Sequence, residues 1–247
     1  MSVYQIAGFN ICLEDVPASI LRRCEAYRIG DVPKDAIALH INGKELCITQ
    51  PDNAASNGET FSRTNLLFLE IYREICTYAL AHDAFLMHCA VIEYEGRGYA
   101  FSAPSGTGKT THIRLWRQVF GKDKVTIVNG DKPILRVFDD AVYAYGTPWC
   151  GKEGYNVNTR VPLCGLCFVE RGKTNKIRPM STEEAVPRLF GQIMVDDSPD
   201  LARQMELADQ LLEKVPCYLL SCNMEPEAAR VAYDGMNHAE IRGGADA

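Results

Sequence analysis

The stretch Tyr99-Ala100-Phe101-Ser102-Ala103-Pro104-Ser105-Gly106-Thr107-Gly108-Lys109-Thr110-Thr111 runs from an apolar segment through a glycine-rich turn to a basic residue and two hydroxyls. Gly106 and Gly108 allow backbone N–H groups to turn inward around phosphate oxygens, Lys109 has the reach of the β- and γ-phosphates, and the Thr110 hydroxyl is placed to ligate Mg²⁺. An anion held there would sit at a helix start. Residues 109–120 supply that helix, with Ile113, Trp116 and Phe120 at three- and four-residue spacing. Strand, loop and helix therefore follow in the order a phosphate-binding loop requires, and Ser105, Gly106, Thr107, Gly108, Lys109, Thr110 and Thr111 form the candidate nucleotide-binding set. Ala103 stands where such loops usually carry their first glycine, and a positive φ would strain it. A chance match in a Gly/Ser turn is the alternative.

Outward from the loop, 247 residues suit one large or two small domains. We expect a β-rich extension over residues 1–60 and a phosphate-loop domain over 61–247. A net charge of -6 without a Lys/Arg cluster argues against nucleic acid or an anionic membrane as partner, since neither polyanion would be attracted. No apolar run approaches the roughly 20 residues needed to span a bilayer, and the start lacks signal-peptide character. A cytoplasmic protein is expected, with ten cysteines as reduced thiols. Cys164-Gly-Leu-Cys167 has zinc-ligand spacing, but no second pair accompanies it and the run 161–169 reads as a strand.

Short apolar runs at 4–12, 36–41 and 46–48, separated by turns such as Asp31-Val-Pro33 and Pro51-Asp-Asn53, predict small strands. Residues 62–82 turn helical, with Leu67, Ile71, Ile75 and Tyr78 on one face. Strands are predicted over 85–94 and 99–102 around Glu95-Gly-Arg-Gly98, over 124–128, and as a hairpin of 134–138 and 141–145 turned at Asp139-Asp140. Further strands are expected over 161–170, 176–178 and 217–222. Ser181-Thr-Glu-Glu184 reads as a capping box with Pro187 limiting the helix, residues 199–215 and 226–236 read as helices, and 242–247 as a frayed tail. Two hairpins flanking the loop depart from strict strand-helix alternation, so an α/β fold with a mixed sheet is expected.

Asp131 closes an apolar strand beyond the loop. It could hold Mg²⁺ or act as base toward an attacking hydroxyl, and a turn aspartate is the plain alternative. His88, on the strand before the loop, could reach the γ-phosphate and assist proton transfer, or be a hydrogen-bonded core residue. The segment Gly146-Thr-Pro-Trp-Cys-Gly-Lys-Glu-Gly154, followed by Arg160, is a candidate substrate loop in which Trp149, Lys152, Glu153 and Arg160 offer stacking, charge and anion contacts. It could also be an ordinary connection. Glu170-Arg171-Gly172 offers a carboxylate for metal and a guanidinium for phosphate, or a surface turn. Thr174-Asn-Lys-Ile-Arg178 lacks the aspartate of a guanine-reading motif.

The order Met87-His88-Cys-Ala-Val91, a glycine turn, a strand, Ser105-Gly-Thr-Gly-Lys-Thr-Thr111 and a strand ending in Asp131 resembles the catalytic domain of HPr kinase/phosphorylase. The loop is also similar to that of ATP-dependent phosphoenolpyruvate carboxykinase. The resemblance covers residues 85–135 and implies a mixed β-sheet flanked by helices, with ATP and Mg²⁺ at the loop. It places His88 as the active-site histidine, Ser105 to Thr110 as the phosphate cradle and Asp131 as the second member of an acidic pair. Gly130 occupies the first member's place, and Val169-Glu-Arg-Gly172 is a faint echo of the family's Ile-Arg-Gly-Leu-Gly signature. A divergent stand-alone relative is implied.

The expected activity is ATP- and Mg²⁺-dependent phosphoryl transfer to a hydroxyl, above all serine, of a peptide, protein or small molecule. Catalysis is expected from His88, Lys109 and Asp131, and metal binding from Thr110 and Asp131. A homo-oligomer is compatible with this reading. A non-catalytic ATP-binding regulatory module is the rival; phosphorolysis ranks lower, and carboxykinase chemistry lower still because those enzymes carry a large substrate domain absent at this length.

Overall fold

The computed structural model describes residues 2–32, 36–48, 62–193 and 200–238. The predicted turn at Pro51-Asp-Asn53 and the tail at 242–247 lie outside them. The chain forms two compact units, Met1–His82 and Asp83–Ala247.

In the first unit, β1 (Ser2–Ile6) and β2 (Phe9–Glu14) form an antiparallel hairpin. Its two turn residues, Ala7 and Gly8, both have positive φ, 52° and 79°, the twist that two-residue hairpins favour. Then come α1 (Ala18–Cys24), a 3₁₀ turn (Glu25–Tyr27), β3 (Arg28–Ile29), β4 (Ala38–Asn42) and α2 (Arg63–Leu80). The sheet order is β3-β1-β2-β4, with β4 parallel to β2. The strand expected at 46–48 is absent, and α1 was not anticipated. Ser62 caps α2 by accepting the Asn65 N–H at 3.3 Å. Predicted to open the nucleotide domain, α2 belongs instead to the N-terminal unit. Arg23 of α1 bonds Asn65 and lies over the Phe68 ring at 4.8 Å, and Phe9 of β2 meets Tyr78 edge-on at 5.4 Å. The boundary thus follows His82 rather than residue 60.

The second unit is α/β with a mixed nine-stranded sheet. Its strands are β5 (Ala84–Leu86), β6 (Cys89–Tyr94), β7 (Arg97–Ser102), β8 (Val125–Asn129), β9 (Ile134–Val137), β10 (Val142–Tyr145), β11 (Arg160–Arg171), β12 (Lys176–Pro179) and β13 (Cys217–Cys222). Its helices are α3 (Lys109–Phe120), α4 (Thr182–Phe190), α5 (Leu201–Lys214) and α6 (Glu227–His238). The order is β5-β9-β10-β11-β7-β6-β8, with β13 added beside β11 and β12 beside β13. The strand predicted over 85–94 breaks at Met87-His88. Before the break β5 pairs with β9, and after it β6 pairs with β7 and β8.

Strand direction positions the site. The strands β7, β11 and β13 are mutually parallel, so Ser102, Arg171 and Cys222 end at one edge of the sheet. Because β6 is antiparallel to both β7 and β8, that edge also receives the start of β6 and the end of β8. His88, the phosphate loop and Asp131 are thereby delivered to the carboxyl edge of the parallel strands, where open α/β sheets place their ligands. The face carrying α3 and α6 is sealed by Trp116, whose ring lies 4.8 Å from Tyr99, 5.1 Å from Phe120 and 5.7 Å from Phe101. Ile113, Ala228, Ala229, Ala232 and Met236 complete that layer. The loop helix is anchored by its predicted apolar face.

Candidate active site

Leaving β7, the chain passes through Ala103, whose methyl is buried and whose φ is not positive, so the missing glycine causes no strain. The left-handed turns fall at Gly106 (φ 76°) and Gly108 (φ 123°), and a Cβ at either would meet open space, so backbone conformation rather than crowding selects glycine. Lys109, the first residue of α3, is only 7 % exposed and donates from Nζ to the Ala103 carbonyl at 2.7 Å. Burial lowers its pKa, and the Asp131 charge opposes that shift. Ser105 is exposed, while Thr110 and Thr111 are half-buried.

Opposite the loop, Asp131 Oδ1 meets His88 Nε2 at 3.1 Å and Oδ2 accepts from Lys132 Nζ. Burial pushes this carboxyl up, but the His88 hydrogen bond and the Lys132 ammonium outweigh it and hold the group well below the usual carboxylate range. His88 is fixed through its backbone: its N–H donates to Gln192 O at 2.8 Å, and its carbonyl accepts from Ser102 Oγ at 3.1 Å. The structure therefore gathers His88, Lys109, Thr110 and Asp131 at one end of the sheet.

Sequence reasoning missed the residues that aim Asp131. Asn129, fully buried at the end of β8, accepts the N–H groups of Asp131 (2.8 Å) and Lys132 (2.7 Å) through Oδ1. Its Nδ2 donates to the Thr147 carbonyl and hydroxyl, each at 3.1 Å, and Thr147 Oγ1 donates to Lys132 O at 2.7 Å. Asn-Gly-Asp at a strand end was the available signal, because asparagine commonly bonds the backbone two residues on. Replacing Asn129 by Ala strands several buried polar groups at once. We expect a loss of about 2–4 kcal/mol, read as a fall in the urea midpoint without a change in slope.

The candidate substrate loop is less open than its glycines suggested. Gly130 N–H donates to Tyr155 O at 2.8 Å, and a Cβ on Gly130 would lie 3.2 Å from Tyr155 Cβ and 3.3 Å from Cys150 O. That packing leaves little room for a side chain at Gly130. At Gly151 (φ 76°) the loop comes against Asp131, where a Cβ would stand 3.2 Å from that residue's own Cβ. Trp149, expected to offer a stacking face, is 4 % exposed and part of the packed interior. Glu153 pairs with Arg114 of α3, whose Nε also donates to Tyr155 OH at 3.2 Å. Lys152 is exposed, and Arg160 donates to Tyr145 OH at 3.1 Å and lies over the Tyr143 ring. Arg171, at the end of β11, donates from Nη2 to the Gly106 carbonyl at 2.7 Å.

A cleft of about 500 Å³ adjoins the loop, bounded by Gly106 to Gly108, the first turns of α3 and the ends of β11 and β13. His112 forms part of its wall and burial holds that imidazole down to about 3, so it is neutral. Cys164 Sγ donates to Gly98 O at 3.1 Å, and burial raises the Cys167 thiol. All ten cysteines are free thiols. Among the described residues, no helix is long and apolar enough to cross a membrane.

No protein-family model matches the chain, and no curated protein matches it in sequence. Among solved structures, the HPr(Ser) kinase/phosphatase from Coxiella burnetii aligns with 8% identity and a TM-score of 0.38, over 64% of this chain and 99% of that one.

Proposed function

We propose that the chain transfers the terminal phosphoryl group of Mg·ATP to a hydroxyl, with serine of a peptide, protein or small molecule as the favoured acceptor. The observation that carries this reading is the convergence of the phosphate loop, Lys109 and the Asp131–His88 pair at one sheet edge. The Lys109 ammonium, with whatever loop N–H groups face the phosphates, would stabilise charge on the transferring group.

Thr110 and Asp131 would hold Mg²⁺. Among the described residues, no group of three or more His, Cys, Asp or Glu side chains could hold a metal unaided. Mg²⁺ takes one or two protein oxygens and completes its shell from phosphates and water. The depressed pKa of Asp131 supplies the ionised oxygen donor. When bound, the ion neutralises charge on the β- and γ-phosphates.

We give the base role to His88, whose ring is held through Nε2 by Asp131 Oδ1 at 3.1 Å. By accepting the Nε2–H, Asp131 fixes the tautomer and leaves the lone pair on Nδ1. His88 Nδ1 would take the acceptor's O–H proton as that oxygen bonds the γ-phosphorus, with ADP as the leaving group. Incubation with γ-labelled ATP and a panel of serine peptides and hydroxyl metabolites tests this. Label on an acceptor, with a mass gain of about 80 Da for the phosphoryl group, is expected. Binding of Mg·ATP with label reaching no acceptor would replace the proposal by a non-catalytic nucleotide switch.

A further inference from the structure

The groups proposed to act on the phosphates come from two separate elements: Lys109 and Thr110 open α3, and Asp131 follows β8. Tyr155 is bonded to both. Its carbonyl accepts the Gly130 N–H at 2.8 Å, one residue before Asp131. Beside that bond, Asn129 and Asn156 form an antiparallel bridge, and the Val157 N–H donates to the Val128 carbonyl at 3.1 Å. Residues 155–157 therefore run along the end of β8 as a short antiparallel partner. Gly151 of the same segment comes against Asp131 itself.

The Tyr155 side chain reaches α3. Its hydroxyl accepts from Arg114 Nε at 3.2 Å, and the guanidinium carbons of Arg114 and Arg117 lie 5.6 Å and 6.0 Å from its ring centroid. Each arginine is held by a further bond: Arg114 pairs with Glu153, and Arg117 Nε donates to the Val125 carbonyl at 3.1 Å, at the start of β8. A guanidinium can lie on an aromatic face and still spend its forked N–H groups on oxygen partners, so ring and arginines brace one another. Arg114 stands little more than one turn beyond Lys109 and Thr110. The segment is thus fastened to the Asp131 turn by its main chain and to α3 by one side chain.

We infer that Tyr155 is a positioning residue for the proposed phosphoryl transfer: braced by Arg114, it sets the spacing between the start of α3 and the Asp131 turn. The inference rests on the functional reading above. It gives the glycine-rich segment a task other than contact with the acceptor. A misplacement of about 1 Å between groups acting on one phosphoryl can cost on the order of 10²-fold in rate, whereas grip on the phosphates depends on the loop and Lys109.

Transfer from γ-labelled Mg·ATP to the serine peptides and hydroxyl metabolites of the panel above is to be measured for the full chain and its variants. In Tyr155→Leu, kcat should fall roughly 10- to 100-fold with the KM for Mg·ATP within about 3-fold of the unaltered value. Tyr155→Phe keeps the ring beside the guanidiniums and should recover turnover to within about 5-fold, the scale of one lost hydrogen bond. Arg114→Gln leaves every main-chain bond in place and should lower kcat by about 3- to 10-fold at unchanged KM, which keeps the test decisive if Tyr155→Leu does not fold. Hydrogen exchange gives a readout without turnover: the Gly130 amide should exchange at least ~10-fold faster in Tyr155→Leu. Unchanged kcat in Arg114→Gln, a loss carried by KM, a loss that Tyr155→Phe fails to recover, or unchanged Gly130 exchange would each overturn the positioning role. Label on an acceptor with the variants equal to the unaltered chain removes that role alone. If the unaltered chain labels no acceptor, the proposed function falls and the positioning role falls with it.

Discussion

Exchanging Lys109 for Met is expected to lower phosphoryl transfer by on the order of 10³-fold while leaving the fold as stable as before or more so. Lys109 begins α3 and its ammonium lies folded against the Ala103 carbonyl, facing the Asp131 charge. In the proposed reaction a cation fixed there would meet the charge gathering on the transferring phosphoryl. Methionine matches the unbranched stem and removes the charge alone. Stability moves in the other direction because burial depresses the lysine pKa from 10.5. A lysine whose folded value lies below its unfolded value is a penalty in full at neutral pH, relieved as pH rises through the folded pKa toward 10.5. The variant's urea midpoint should therefore equal or exceed that of the unaltered chain at neutral pH, less whatever the unbonded Ala103 carbonyl costs. The gap should narrow in alkaline buffer. Transfer reduced by less than about 10-fold would show that the loop amides act without the ammonium.

How much of this could be read from the residues alone varies with the range of the interactions involved. The limits of α3 follow from Gly108 and from Ile113, Trp116 and Phe120, all local signals, and the structure places the helix over the predicted residues. The Ser181 and Glu184 capping box is likewise local and present. The break at Met87-His88 is different. Both sides are apolar, and what separates them is pairing with β9 on one side and with β7 and β8 on the other, together with the His88 N–H bond to Gln192. No periodicity encodes that choice. Trp149 differs for a related reason: glycines on either side suggest a mobile loop, but Asn129 bonds Thr147, Thr147 Oγ1 accepts the Trp149 N–H at 3.3 Å, and the indole is buried. The short α1 carries only Ile20 and Cys24 as buried residues, too few to register a helical period.

Changing Asp131 to Asn should cost at least ~10²-fold in turnover and shift the Mg²⁺ requirement to higher concentration, with the two effects separable. Asparagine can still accept the His88 Nε2–H through its carbonyl oxygen, so the imidazole keeps its tautomer and the loss reports the missing charge. Asp131→Ala removes the orienting bond as well and should fall further. If Asp131 acted only by steering His88, the asparagine variant would keep nearly full turnover and an unchanged Mg²⁺ response, and the proposed metal role would fail. The stability consequence has a defined sign. The folded pKa lies below the ordinary value of 3.8, because the His88 bond and the Lys132 ammonium overcome burial. The ionised carboxylate thus contributes stability that is fully present above 3.8 and lost as pH falls from there through the folded value. Asparagine cannot make that contribution. Unfolding curves of the two chains should differ at neutral pH and converge in strong acid, whereas a constant offset across that range would mean that the carboxylate's charge is not what holds Asp131 in place.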